Sequence, residues 1–442
     1  MEKKRDCEIA IRNTACLTQK FEVKENMSII IDKGRILDIL PDEEREKKYA
    51  AAETVPGEGK LWMPGLVDGH MHTGQQLLKG AVLDELPMIW TRIMLPFESS
   101  MTAEKMRISA SLAALEMIKG GTTGFIEAGS YFMEEAAVVY EKAGLRGALS
   151  YSTMDRGNFP DSIRQTTEEA LKSTDTLYEK FHKKGNLKVF YSLRALMNCS
   201  RALIQGAAER AKERETFLQA HMNEYPAEVN YTLENYRLRP VEYLESLDVL
   251  GENFIMAHGI FLSPKEQELL ACRGAKIVHC PFSNCAKGVP ETPALLEKGI
   301  CVGLGTDGAA HGGLSLWNEM RIFRSVMNAV WGSKYADPAV MPAKTILSMA
   351  TEAGAELLGE KGDLGLLKAG CKADMISILW RQPHLYPTEN PVNTLIECTE
   401  SKDVWDSMVN GCFLMRDRKV LTLDEEEIMR EAETFFKENR QA

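Results

Sequence analysis

The sequence predicts an α/β fold: a (β/α)8 TIM barrel carrying a small β-sandwich domain built from both ends of the chain. Three observations predict it. Between about residues 62 and 365, eight short apolar runs alternate with helical stretches, the rhythm of parallel strands joined by crossover helices. Both chain ends read instead as β-structure punctuated by tight-turn signals. Five of the eight histidines fall at or just past the ends of the apolar runs, where a barrel gathers its reactive side chains.

Taken in order, the first ~60 residues read as strands. "CEIAIRNTACL" and "MSIIIDKGRILDIL" alternate or run apolar, and "DKG" marks a turn between two isoleucine-rich halves. The runs assigned to the barrel are "MPGLVDGH", "TTGFIEAG", "RGALSYS", "LKVFYSLR", "TFLQAH", "NFIMAHG", "AKIVHC" and "ICVGLGTDG". After the first of them, "MTAEKMRISASLAALEMIKGG" predicts a helix with Thr102 as N-cap, Glu104 in the first turn and Gly120 just past the end. Near the C-terminus, "ADMISILW" and "WDSMVNGCFLMRDRKVL" return to strands, with "NG" and "RDRK" as turns. The simplest organisation is a composite β-domain of residues 1–62 and 366–420, a barrel at 63–365, and an amphipathic helix at 421–442.

Composition narrows the partners. The 442 residues are 44% hydrophobic and 26% charged with a net charge of −11, an ordinary globular balance without a Lys/Arg block. Nucleic acid and anionic membranes are therefore not expected partners. The start "MEKKRDCEIAIRNTACL" has no apolar signal core, and no run has the length of a membrane helix. Ten scattered cysteines suggest reduced thiols and a cytoplasmic setting. The apolar content leaves surface for a homodimer or tetramer.

"DGHMH" puts His70 and His72 two apart, so in a strand both imidazoles face one side. An H-x-H alone is weak evidence of a metal site. It gains weight because His221, His258, His279 and Asp307 fall at the ends of other predicted strands, where barrel closure would form a ring of ligands.

On "MPGLVDGHMH", "QAHMNE", "MAHG", "HCPFSN" and "GLGTDG", in this order over nearly the whole chain, the sequence resembles the amidohydrolase superfamily, in its mononuclear deaminase and chlorohydrolase branch. No lysine ends the fourth run, "LKVFYSLR", where binuclear members carry a bridging one. The resemblance implies that His70, His72, His221 and Asp307 bind one divalent ion, Zn²⁺ or alternatively Fe²⁺ or Mn²⁺. It implies that hydroxide formed at the ion attacks an amino-bearing ring carbon and that ammonia leaves. Asp307 would take the water proton, His258 would orient the water, and Glu224 in "HMNE" would protonate the ring nitrogen.

Glu98 in "MLPFESS" matches a glutamate that accepts from ribose hydroxyls in deaminases of S-adenosylhomocysteine and 5'-methylthioadenosine. Two positions depart from that group: Arg194 stands where a purine-contacting histidine is expected, and Tyr151 where an arginine is. A fixed cation suits a ring carbonyl or carboxylate better than an adenine edge. The expected activity is thus deamination of an adenine nucleoside derivative. The alternatives are a guanine or pterin deaminase, an s-triazine chloro- or aminohydrolase, and, from another class, a non-catalytic binding protein on the same fold.

Blander readings stand beside these. His279 either contacts substrate or hydrogen-bonds across the rim, and Glu127 and Asp68 either reach the site or hold turns. His311 and His384 read as loop residues, His182 as a solvated helix-end histidine, and Cys280 and Cys285 as ordinary thiols.

Overall fold

The computed structural model describes residues 4–86 and 88–439 as a mixed α/β chain. All eight apolar runs contain strands. These are Leu66–His72, Thr122–Glu127, Arg146–Leu149, Leu187–Val189 continued by Tyr191–Leu193, Leu218–Met222, Phe254–His258, Lys276–His279, and Val302–Leu304 continued by Asp307–Gly308. Apart from Lys188, every residue in them is buried, which is why they read as continuous apolar runs rather than alternating ones.

The strands pair in parallel as two five-stranded sheets, and two interrupted strands each serve both. Leu187–Val189 pairs with Arg146–Leu149, whereas Tyr191–Leu193 pairs with Leu218–Met222. Likewise Val302–Leu304 pairs with Lys276–His279, and Asp307–Gly308 then pairs with Leu66–His72. Gly305, at the second interruption, sits where a Cβ would lie 2.7 Å from the His70 carbonyl oxygen and 2.8 Å from its nitrogen. The glycine lets the strand carrying Asp307 run against the strand carrying the H-x-H pair.

The chain ends form one nine-stranded sheet. Lys60–Pro64 is its junction, parallel to Arg5–Leu17 and antiparallel to Met375–Leu379. Three hairpin turns within it, Lys33–Gly34, Asn410–Gly411 and Asp417–Arg418, have positive φ at both central residues, the type I′ geometry that suits twisted strands. Arg418 tolerates that conformation while its guanidinium donates to the carbonyls of Lys119, Ser401 and Val404. A buried ion pair ties this sheet to the parallel one: Arg146 Nε lies 2.7 Å from Asp374 Oδ2.

After Leu66–His72 and short helical segments, the predicted helix spans Ala103–Gly120, with Thr102 accepting from the Lys105 backbone N–H. Its last residue is Gly120, and the left-handed cap is Gly121 at φ 83°, one position beyond the sequence expectation. The C-terminal helix, Glu425–Asn439, is fastened to it by Arg107–Glu431 (2.8 Å) and Lys119–Glu425 (2.5 Å).

The all-β expectation for the first 60 residues fails at Asp42–Lys48, which is helical. "DEEREKK" has acids in the first turn and bases in the last, so charge complements the helix dipole and outweighs the β character around it. The expectation for His182 fails as well. It is half-buried, accepts from the Val189 N–H at 3.1 Å and stacks on Tyr178 at 4.1 Å, and burial pushes its pKa down to about 4. No helix among the described residues is long and apolar enough to cross a membrane.

Candidate active site

Strand ends deliver one compact cluster. His70 and His72 come from Leu66–His72, His221 from Leu218–Met222, His258 from Phe254–His258 and Asp307 from Asp307–Gly308. The His70 ring centroid lies 5.2 Å from that of His72, 4.7 Å from His221 and 5.4 Å from His258. His72 Nε2 is 3.1 Å from His221 Nε2 and 3.5 Å from Asp307 Oδ1. Potential ligand atoms within each of the sets His70–His72–Asp307, His70–His221–His258 and Glu224–His258–Asp307 lie within 4.8 Å of one another.

Two of these residues hold unusual backbones: His258 at φ 74° and Asp307 at φ 60°. Left-handed conformations in non-glycine residues are uncommon and collect at functional sites, where they aim side chains off a regular strand. Asp68 braces the strand end. It accepts from the His70 N–H at 3.2 Å, the Thr306 N–H at 3.1 Å and the Thr306 hydroxyl at 2.6 Å. Burial raises its pKa to about 7 against those hydrogen bonds.

Electrostatics suits a cation. Burial holds His70 down to about 3 and pushes His72 and His221 well below the usual imidazole range, so all three are neutral with lone pairs to offer. His70 Nε2 is buried without a hydrogen-bond partner. Burial acts to raise the Asp307 carboxyl, but the neighbouring His311, His258 and Lys287 outweigh it and hold the group well below the usual carboxylate range. Three neutral imidazoles and a carboxylate form a donor set that fits a divalent ion such as Zn²⁺.

Glu224 is close by, with Oε1 3.7 Å from His258 Nε2. Burial works to raise its carboxyl, yet His258 and Lys287 bring it below the ordinary value. Three further residues, given no role in the sequence reading although Ser283 and Asn284 end its "HCPFSN" motif, approach from one turn. Ser283 donates to Asp307 Oδ2 at 2.5 Å, Asn284 Oδ1 is 2.9 Å from His258 Nδ1, and Lys287 donates to Glu224 Oε1 at 2.5 Å. In "SNCAK" Ser283 and Lys287 stand four apart soon after the strand bearing His279, a spacing that carries no signal by itself.

The other expected positions divide. Glu98 and Arg194 are brought together, Oε1 to Nη2 at 3.2 Å, with the guanidinium over the Trp90 ring at 5.4 Å. Each keeps one buried atom without a partner, Glu98 Oε2 and Arg194 Nη1. His279 is fully buried, and its Nδ1 is 2.8 Å from the His258 carbonyl oxygen, a hydrogen bond across the rim. The Tyr151 hydroxyl instead donates to Glu134 Oε2 at 2.9 Å, on a neighbouring helix. Glu127 accepts from the Thr73 N–H at 2.6 Å, the Gly129 N–H at 3.1 Å and the Ser130 hydroxyl at 3.0 Å, which fixes two loops.

The chain is 33% identical over 407 residues, 91% of each chain, to the 5-methylthioadenosine/S-adenosylhomocysteine deaminase of Syntrophobacter fumaroxidans. It is 32% identical to the 5'-deoxyadenosine deaminase of Methanobrevibacter smithii, covering 94% of both chains. Among solved structures it superimposes on a zinc-bound adenosine deaminase from Xanthomonas campestris with a TM-score of 0.93 at 25% identity, covering 100% of both. A zinc complex of atrazine chlorohydrolase from Arthrobacter aurescens shares the fold, with a TM-score of 0.87 at 22% identity over 96% of this chain and 99% of that one. With the Amidohydrolase family model matching residues 61–412 besides, the chain belongs to the amidohydrolase family.

Proposed function

We propose that this enzyme is a metal-dependent aminohydrolase that removes the amino group of an adenine nucleoside, of the S-adenosylhomocysteine, 5'-methylthioadenosine, 5'-deoxyadenosine or adenosine type. The observation that carries the reading is the cluster of His70, His72, His221 and Asp307 with Glu224 and His258 beside it. Relatives named as deaminases of such nucleosides, matching more than nine-tenths of the chain, support the substrate class.

His70, His72, His221 and Asp307 are the proposed ligands of one divalent ion, most simply Zn²⁺. Bound there, the ion would bring the pKa of a water molecule toward neutrality. Asp307, ionised and braced by Ser283, takes the water's proton. His258, its Nδ1 at Asn284, turns Nε2 toward the attacking oxygen. Glu224 takes the water's other proton and delivers it to the ring nitrogen beside the amino-bearing carbon, while the proton on Asp307 passes to the amino group, which leaves as ammonia. Glu98 takes the ribose hydroxyls through its unpaired Oε2.

The parallel strands are read as one closed (β/α)8 barrel, with the interrupted strands joining its two halves. The nine-stranded sheet supports a composite β-sandwich domain of residues 1–62 and 366–420, with the barrel at 63–365 and the terminal helix at 421–442. Ten free cysteines support a cytoplasmic setting. Exposed Leu83, Leu86 and Met88 support a homo-oligomer.

One observation favours a second substrate class. Arg194 already occupies Glu98 Oε1 and keeps Nη1 for an acceptor, which the carbonyl of guanine or a pterin, or a ring nitrogen of a triazine, would supply. The deciding experiment is ammonia release by the Zn²⁺-loaded enzyme across adenosine, 5'-methylthioadenosine, S-adenosylhomocysteine, 5'-deoxyadenosine, guanine, isoxanthopterin and an aminotriazine. Turnover of one or more nucleosides is expected. Activity confined to free bases would transfer the assignment to the second class, and silence with metal bound would sink deamination.

A further inference from the structure

The turn after the strand bearing His279 does more than close a loop. Within Pro281–Lys287 the Lys287 backbone N–H bonds to the Asn284 carbonyl at 2.8 Å, curling the chain so that three side chains face the cluster. Ser283, Asn284 and Lys287 then reach Asp307, His258 and Glu224 respectively. Lys287 is the least ordinary of the three. Its side chain is 8% exposed, although lysine is almost never buried without a task or a partner.

The Lys287 ammonium donates in two directions, to Glu224 Oε1 at 2.5 Å and to the Ser283 hydroxyl at 2.8 Å. Ser283 in turn donates to Asp307 Oδ2. One cation therefore links the two carboxylates, Glu224 directly and Asp307 through Ser283. The Tyr225 ring lies 5.3 Å from the ammonium and helps hold it there.

We propose that Lys287 is a positioning residue for the deamination: it fixes Glu224 by Oε1, presents Oε2 to the substrate ring nitrogen, and shares through Ser283 in aligning Asp307. The inference rests on the aminohydrolase reading of the site. Lys287 keeps its own protons throughout. The proton that moves travels from water to Glu224 and on to the ring, and a fixed ammonium makes Glu224 a stronger acid at that moment. An arginine could serve the same two acceptors; an apolar side chain of similar length could not.

The test is steady-state kinetics of K287M, K287R and the double variant K287M/S283A, on whichever compound of the panel the wild type turns over fastest, with metal content measured for each. K287M is expected to keep its metal and a KM within about threefold, while kcat falls about 10- to 100-fold, the loss typical of a retained but misaligned proton donor. K287R should recover much of that loss, and adding S283A to K287M should cost little more. A K287M enzyme within twofold of wild-type kcat overturns the proposal, as does one losing metal, KM and kcat together with no rescue by arginine.

A second measurement needs no substrate. In crystal structures of wild type and K287M, the Glu224 carboxylate should be fixed in the first and rotated or disordered in the second. An unmoved Glu224 defeats the positioning role whatever the reaction is. If the wild type were silent on the whole panel but Glu224 moved in K287M, the deaminase reading would fail while the anchoring of Glu224 stood.

Discussion

At the scale of single residues, the proposed function gives the imidazoles the holding and leaves the proton transfers to the two carboxylates. The three imidazoles are kept neutral by burial, Asp307 is kept ionised by its neighbours, and Glu224 stands one step outward. Glu224→Gln preserves shape and hydrogen bonding but carries no transferable acid proton. It should bind metal as the wild type does while kcat drops about 10²- to 10⁴-fold, the usual weight of a general acid–base group. Metal analysis beside an ammonia assay checks both halves, and near-normal turnover would remove Glu224 from the proton path. The gathering of the histidine pair and Asp307 was legible in the sequence because each lies at or beside the end of a visible apolar run, whereas Glu224, two residues past its strand, was singled out through the family resemblance. Lys287 was not, since a lone lysine four residues from a serine says nothing until the turn brings both toward Glu224 and Asp307. Tyr151 shows the reverse: it ends near the right strand, yet its hydroxyl faces Glu134.

At the scale of elements, strand interruption sets the geometry. The strand that starts at Val302 changes partner across Gly305 and arrives beside Leu66–His72, which brings Asp307 to the imidazoles. Gly305→Ala would press a methyl group into the His70 backbone. The expected cost is about 1–3 kcal/mol of stability, as for an overpacked core, together with weaker metal retention because His70 must shift. Urea unfolding and metal titration check it; an unaffected variant would mean that the two strands can separate without harm to the site. The strands were readable as elements, but their breaks were not, because "LKVFYSLR" and "ICVGLGTDG" look continuous to any pattern of hydrophobicity. The helix Asp42–Lys48 was hidden for another reason: its seven charged residues lie between strands and carry no apolar period.

At the scale of the whole molecule, polar contacts join the terminal sheet to the parallel strands and the chain flanking them. Arg146 is a buried one, bonded to both Asp374 oxygens at 2.7 and 3.1 Å and to Asn410 Oδ1 at 2.6 Å. Asp374 is wholly buried at its side chain. Arg146→Met would strand that carboxylate and should cost about 3–5 kcal/mol, the penalty for breaking a buried pair from one side. Chemical denaturation measures it, and a loss below 1 kcal/mol would show that the contact is incidental. The joining of the two chain ends was foreseeable from matching strand-and-turn patterns. Arg146 was not, because nothing local distinguishes a buried arginine from one in solvent.

That joined sheet also imposes an order on the molecule's birth. Lys60–Pro64 leaves the ribosome with all five residues destined for burial, but its antiparallel neighbour Met375–Leu379 follows roughly 300 residues later. At about 5–20 residues per second of translation, that edge waits tens of seconds for its mate. The nascent chain thus carries an open, apolar β-edge through most of its synthesis, and its chief folding hazard lies in the terminal sheet rather than in the catalytic centre.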